Sequence, residues 1–121
     1  MDNKIGVSGF LITCLALMSC SGSQSTCTPV PGALGVVLEE VAPHLNDIGT
    51  LVINQHAEGE RPITALIEVT LDGLLDDSIR SEKMSFYLSR RENEWSISSK
   101  RVQYRCWNGR GHTDFSEKPC H

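Results

Sequence analysis

Met84-Ser85-Phe86-Tyr87-Leu88-Ser89-Arg90-Arg91-Glu92-Asn93-Glu94-Trp95-Ser96-Ile97 is the stretch that decides the fold. Met84, Phe86 and Leu88 alternate with Ser85, Tyr87 and Ser89, the two-residue period of a strand with one apolar face. The polar run Arg91–Glu94 is a tight connection, after which Trp95 and Ile97 return to the same face. Val102, Tyr104 and Cys106 continue that strand with the opposite parity. One extra residue reconciles the two halves, so the pattern predicts a β-bulge within Ser98–Arg101.

Upstream, Ile63, Ala65, Ile67, Val69 and Leu71 alternate with Thr64, Glu68 and Thr70, a second half-buried strand. Leu66 breaks its pattern and is expected under a loop. Asp72-Gly73 marks a turn, and Leu74–Arg80 is expected to form a short helix or lid. Ile48–Asn54 is a further short strand, joined to the second by the polar connection Gln55–Pro62. Before it, Leu34, Val37, Leu38, Val41 and Leu45 recur at helical spacing. Pro43 should end or kink that helix near Ala42. A strand through Gly35–Val41 is the competing reading, because Val36-Val37-Leu38 is also β-prone.

The fold class is therefore α+β: one helix packed on a curled antiparallel sheet of about four strands, with a disulfide-closed C-terminal loop. The expected core joins Leu34, Val37, Leu38 and Val41 of the helix to Met84, Phe86, Leu88, Trp95 and Ile97.

The N-terminus reads differently. Ile5–Met18 carries no charge. At about 1.5 Å per residue it is too short to cross a hydrocarbon core of about 30 Å, and it has the length of a secretory signal's apolar region. It ends in Leu17-Met18-Ser19-Cys20, which resembles the lipobox of bacterial lipoproteins. The resemblance implies diacylglyceryl transfer to the Cys20 thiol, cleavage between Ser19 and Cys20, and further acylation with fatty acid such as palmitate. Two or three acyl chains anchor stably where one does not. Ser21 follows Cys20 where aspartate would signal inner-membrane retention, so the implied address is the outer membrane, facing the periplasm. The organisation expected is a signal peptide over 1–19, a lipidated cysteine and flexible tether over 20–32, and a single domain over 33–121. Ser21–Thr26, without apolar residues, is the flexible part.

Cys14 leaves with the signal and Cys20 takes lipid, so Cys27, Cys106 and Cys120 remain. Outside the cytoplasm, pairs tend to be oxidised. Cys106 and Cys120 bracket a glycine-containing polar loop able to fold back, which makes them the expected bridge. Cys27 is either free or displaces one partner.

Charge is unevenly placed. Cys20–Ile79 holds nine acids and one base, whereas Arg80–His121 holds nine bases and five acids. The plainer interpretation is that two edges of a small domain differ in sign. The sharper one is a basic patch of Arg90, Arg91, Lys100, Arg101, Arg105 and Arg110 facing an envelope protein or an anionic glycan or lipid. Nucleic acid is not an expected partner of an exported chain.

Candidate chemistry concentrates in the tail. Cys106, His112, Asp114, Cys120 and His121 include zinc-ligand types, but no CxxC or HxxxH spacing is present and an oxidised pair does not ligate. Gly109-Arg110-Gly111 is far from a phosphate-loop motif. His44 and His56 lie in polar connections, Asp76-Asp77 is a loop pair, and no nucleophile-elbow pattern occurs. No catalytic residue, metal or cofactor is assigned, and a non-enzymatic partner-binding module is the expectation. The alternatives are a small hydrolase or metal binder using the tail's His/Asp loop, and a protease inhibitor. The last rests on a resemblance: helix, strand, Gln55-His56-Ala57-Glu58-Gly59, two strands and a Trp95 hairpin are similar in order to cystatins. Those carry Gln-x-Val-x-Gly in the first hairpin and Pro-Trp in the second, wedged into papain-like proteases. Here Ala57 stands where valine is expected and Glu94 where proline is. The chain also resembles small exported proteins of Gram-negative bacteria.

Overall fold

In the computed structural model the described residues are 32–121. The apolar run, Cys14, the Leu17–Cys20 motif, the tether and Cys27 lie outside them. The order of elements is α1 (Ala33–Val41), a 3₁₀ turn (Ala42–His44), then strands β1 (Thr50–His56), β2 (Thr64–Asp72), β3 (Ile79–Arg91) and β4 (Glu94–Cys106). The strands form one antiparallel sheet in the order β1-β2-β3-β4. The fold is thus α+β, with the helix against one sheet face and the Cys106–Cys120 disulfide closing the C-terminal loop.

Alternation explains the core. Ala65, Ile67, Val69 and Leu71 of β2 stand across from Leu88, Phe86, Met84 and Glu82 of β3. All the apolar members of this set are buried. Leu88 and Met84 pair in turn with Ile97 and Val102 of β4. Val37 and Val41 of the helix are fully buried against this face. Each buried valine or larger side chain contributes about 1.5–3 kcal/mol.

The bulge falls where parity requires it. Tyr87 pairs with Ser99 and Leu88 with Ile97, leaving Ser98 as the extra residue. A second irregularity, at Arg80 between Ile79 and Ser81, begins β3.

Several expectations need correction. The helical stripe is Ala33, Val37 and Val41, one residue every four, with Leu34 and Val36 at its flanks. Leu38, one residue beyond the stripe's centre, is 37% exposed. Leu74–Arg80 forms neither helix nor lid. The Asp76 carboxylate accepts the amides of Ser78 and Ile79 at 2.8 and 2.7 Å and the Ser78 hydroxyl at 2.9 Å. Such local side-chain bonding competes with a helix. Gly73, at φ +70, turns the chain into this loop with its Cα packed close to Gly49. The first strand starts later than expected and runs through His56, absorbing the start of the polar connection. Trp95 lies on the helix-facing side but is only half-buried, and Ile63, just outside β2, is 66% exposed.

Candidate functional site

The sheet face away from the helix is polar: Asn54, Thr64, Glu68, Thr70, Lys83, Ser85, Ser89, Ser96, Arg101 and Arg105 share its parity. Chain topology divides this face into two ends.

At the end nearest Asp72-Gly73, the C-terminal segment lies over it. Ser116 pairs with Tyr104 of β4, donating at 3.0 Å and accepting at 2.7 Å. Phe115 sits under the Lys83 ammonium at 4.6 Å and the Arg105 guanidinium at 5.0 Å. Trp107 donates its indole N–H to the Asp76 carbonyl at 2.8 Å and stacks with Arg80 at 5.6 Å. Beneath this cover is a polar knot. The Ser81 hydroxyl, fully buried, donates to Asp72 Oδ1, and Arg105 Nη2 donates to Asp72 at 3.1 Å and to Ser81 at 3.0 Å. Arg80 completes it at 3.5 Å from Asp72. The Ser81 hydrogen bond, aided by the two guanidinium groups, holds the Asp72 carboxyl below its usual range against a desolvation penalty.

His112 fastens the tail to itself. Its Nδ1 lies 2.8 Å from the Asp114 carbonyl and its Nε2 2.9 Å from the Lys118 carbonyl. A neutral imidazole donates only one hydrogen bond, whereas imidazolium donates two. The Lys118 carbonyl first, then that of Asp114, therefore push the His112 pKa upward. Cys106, His112 and Cys120 bring their ligand atoms within 4.8 Å of one another, without Asp114 or His121. The two sulfurs are bonded to each other at 2.00 Å, and both imidazole nitrogens face carbonyl oxygens. In this state the trio offers a metal no thiolate, and His112 offers no free nitrogen for base catalysis.

At the opposite end, where the β1–β2 and β3–β4 connections meet, the sheet is open. A cleft of about 500 Å³ is lined by His56, Glu58, Leu66, Tyr87, Ser89 and Ser98, among others. Leu66 stands between His56 and Tyr87 across the strands. Its break in the β2 pattern thus places an apolar side chain on the polar face rather than under a loop. Tyr87 is 42% exposed. The bulge turns Ser98 toward β3, where its hydroxyl donates to Ser89 Oγ at 2.9 Å. The one sequence signal for this cleft was the doubling of apolar character at Leu66 and Tyr87.

The six basic residues do not gather there or anywhere else. Arg90 stacks on Trp95 at 5.7 Å. Lys100 is on the helix side, 3.3 Å from Glu40 and 5.3 Å from the Phe86 ring centre. Arg101 and Arg105 are on the opposite face, bonded to Glu117 and to the Asp72 knot. Arg91 is exposed at the β3–β4 turn and Arg110 in the tail loop. Strand alternation and the bulge divide a cluster that is contiguous only in sequence.

The two segments of the cystatin resemblance lie at the same end of the sheet. Gln55 and His56 are in β1, Gly59 turns at φ +83, and Trp95 is the second residue of β4. No protein-family model, curated protein or solved structure matches the chain.

Proposed function

We propose that the chain is the precursor of a lipid-anchored envelope protein whose α+β domain is a non-enzymatic partner-binding module. Cleavage before Cys20 leaves the acylated cysteine in the outer membrane and the domain on a short tether in the periplasm. The supports for the anchor are the apolar run Ile5–Met18 and Leu17-Met18-Ser19-Cys20.

The observation that carries the binding reading is the division of the polar sheet face. One end is closed by the tail and its disulfide, and the other is left open as the cleft of Leu66, Tyr87, His56, Ser89 and Ser98. An exposed aromatic beside an apolar side chain, ringed by hydroxyls on paired strands, is the composition of a recognition site. Four strands hold these groups at fixed spacing, so the site needs little ordering to bind.

The test is photo-crosslinking inside the intact envelope. A benzophenone amino acid replacing Tyr87 should give a discrete adduct, and the same probe replacing Leu75, 83% exposed in the β2–β3 loop, should not. Equal adducts from both positions would contradict the assignment of the cleft.

A further inference from the structure

The two edges of the sheet are treated differently. The β4 edge is obstructed by the bulge at Ser98, by Lys100 and Arg101, and by Ser116 bridging to Tyr104. Bulges, charges and covering segments are the devices that block strand addition. Among the described residues, the β1 edge has none of them. Thr50–His56 contains no proline, lysine, arginine, aspartate or glutamate, and it pairs with β2 without interruption over all seven residues. Every residue of it except Ile53 is exposed, including Leu51 at 39% and Val52 at 45%.

What lies at its ends selects the occupant. Asp47 precedes the strand, and Glu58 and Glu60 follow it, ahead of the single base Arg61. A second copy added antiparallel about Ile53 would bring Asp47 of each chain toward Glu58 and Glu60 of the other. That sets like charges together at both ends, which is destabilising. A segment with a cation at each end meets opposite charges instead. The strand also runs directly into the cleft, which His56 lines.

We propose that β1 is a docking edge for an extended segment of another polypeptide, uncharged and β-prone over its middle and basic at both ends. The proposal rests on the reading of the domain as a binding module and names its partner chemistry. Main-chain hydrogen bonds to the edge supply affinity, and the acidic flanks and the cleft supply selectivity.

The experiment uses the full chain in detergent and two labelled synthetic peptides, Lys-Thr-Val-Thr-Val-Thr-Val-Thr-Lys and its counterpart with glutamate at both ends. Binding is read by fluorescence anisotropy and by amide exchange over residues 50–56. The lysine-ended peptide should bind and protect those amides, and the glutamate-ended one should bind at least about tenfold more weakly. Val52→Lys, at an exposed position, and the pair Glu58→Gln with Glu60→Gln should each weaken binding by a comparable factor, while Leu75→Lys should not. No binding of the lysine-ended peptide up to about 1 mM would overturn the proposal. So would equal binding of both peptides, insensitivity to Val52→Lys, or self-association that protects the same amides. A Tyr87 adduct in the envelope with no peptide binding here would refute the edge and leave the cleft standing.

Discussion

Replacing both Cys106 and Cys120 by alanine removes the cross-link between the end of β4 and the chain terminus, whose sequence separation is 14. Closing a loop of that size restricts the unfolded chain by about 10 cal/mol/K, or about 3 kcal/mol at 25 °C. Little of this should be recovered in the folded state, because Cys106 is 2% exposed and its sulfur leaves a small void. The tail would then be held by non-covalent contacts alone: Ser116 to Tyr104, the Cys106 amide to the His112 carbonyl at 3.0 Å, the Trp107 amide to Ser78 at 2.9 Å, the Arg101–Glu117 ion pair, and Phe115 against Lys83 and Arg105. Each of the hydrogen bonds contributes about 1 kcal/mol net. A domain of this size has about 5–15 kcal/mol in total, so the double variant should fold but with a markedly lower midpoint. With a slope of about 1–3 kcal/mol/M, the urea midpoint should fall by about 1–3 M. Amide exchange at Tyr104 and Ser116 should rise more than at Phe86. A loss below about 1 kcal/mol would refute the reasoning, since it would mean that the cross-link leaves the unfolded ensemble almost unchanged.

Phe86→Ala, at a fully buried position, should cost about 3–5 kcal/mol, and Trp95→Ala, half-buried at the sheet's open end, about half as much; urea unfolding of the two measures the order. The pKa of His112 is raised in the fold from its ordinary 6.5, so its contribution is fully present below that value and is lost as pH rises through the higher folded one. Thermal midpoints across this window should fall in the wild type and fall less in His112→Gln. Asp72 is displaced downward from 3.8, so its contribution is present above that value and lost as pH falls through the lower folded one; Asp72→Asn should flatten that acid limb in thermal midpoints. Gly111 has φ +138, and a Cβ there would lie 2.9 Å from Cys106 Sγ. Gly111→Ala should accordingly cost more than about 1 kcal/mol by calorimetry, through backbone strain and the clash at the disulfide.

The alternation of Met84, Phe86 and Leu88 with serines and tyrosine made the central strand legible, because one buried face imposes a strict period of two. The same parity exposed the bulge, since Ile97 and Val102 both had to reach the core from positions an odd offset of five apart. Ending α1 at Val41 followed from Pro43. Most of the failures originate in partners distant along the chain, and one in a competing local bond. Leu38 fits the helical pattern as well as Val37 does, and only the line of contact with the sheet separates them. Leu74–Arg80 lacks a helix because Asp76 finds nearby amides. Leu66 and Tyr87 become the walls of a cleft only when β1 brings His56 beside them. Charge shows the limit of reading along the chain: Lys100 and Arg101 are adjacent in sequence, yet alternation sends one to Glu40 over the helix side and the other to Glu117 beneath the tail.

The most direct test of the lipid-anchored reading is the mass of the N-terminal fragment released from protein extracted from membranes. A fragment beginning at Cys20 and carrying a thioether-linked diacylglyceryl group is expected, with Cys20→Ala giving neither the cleavage nor the added mass. An unmodified Cys20 thiol, or an intact peptide spanning Leu17–Ser21 as the predominant form in the wild type, would contradict it.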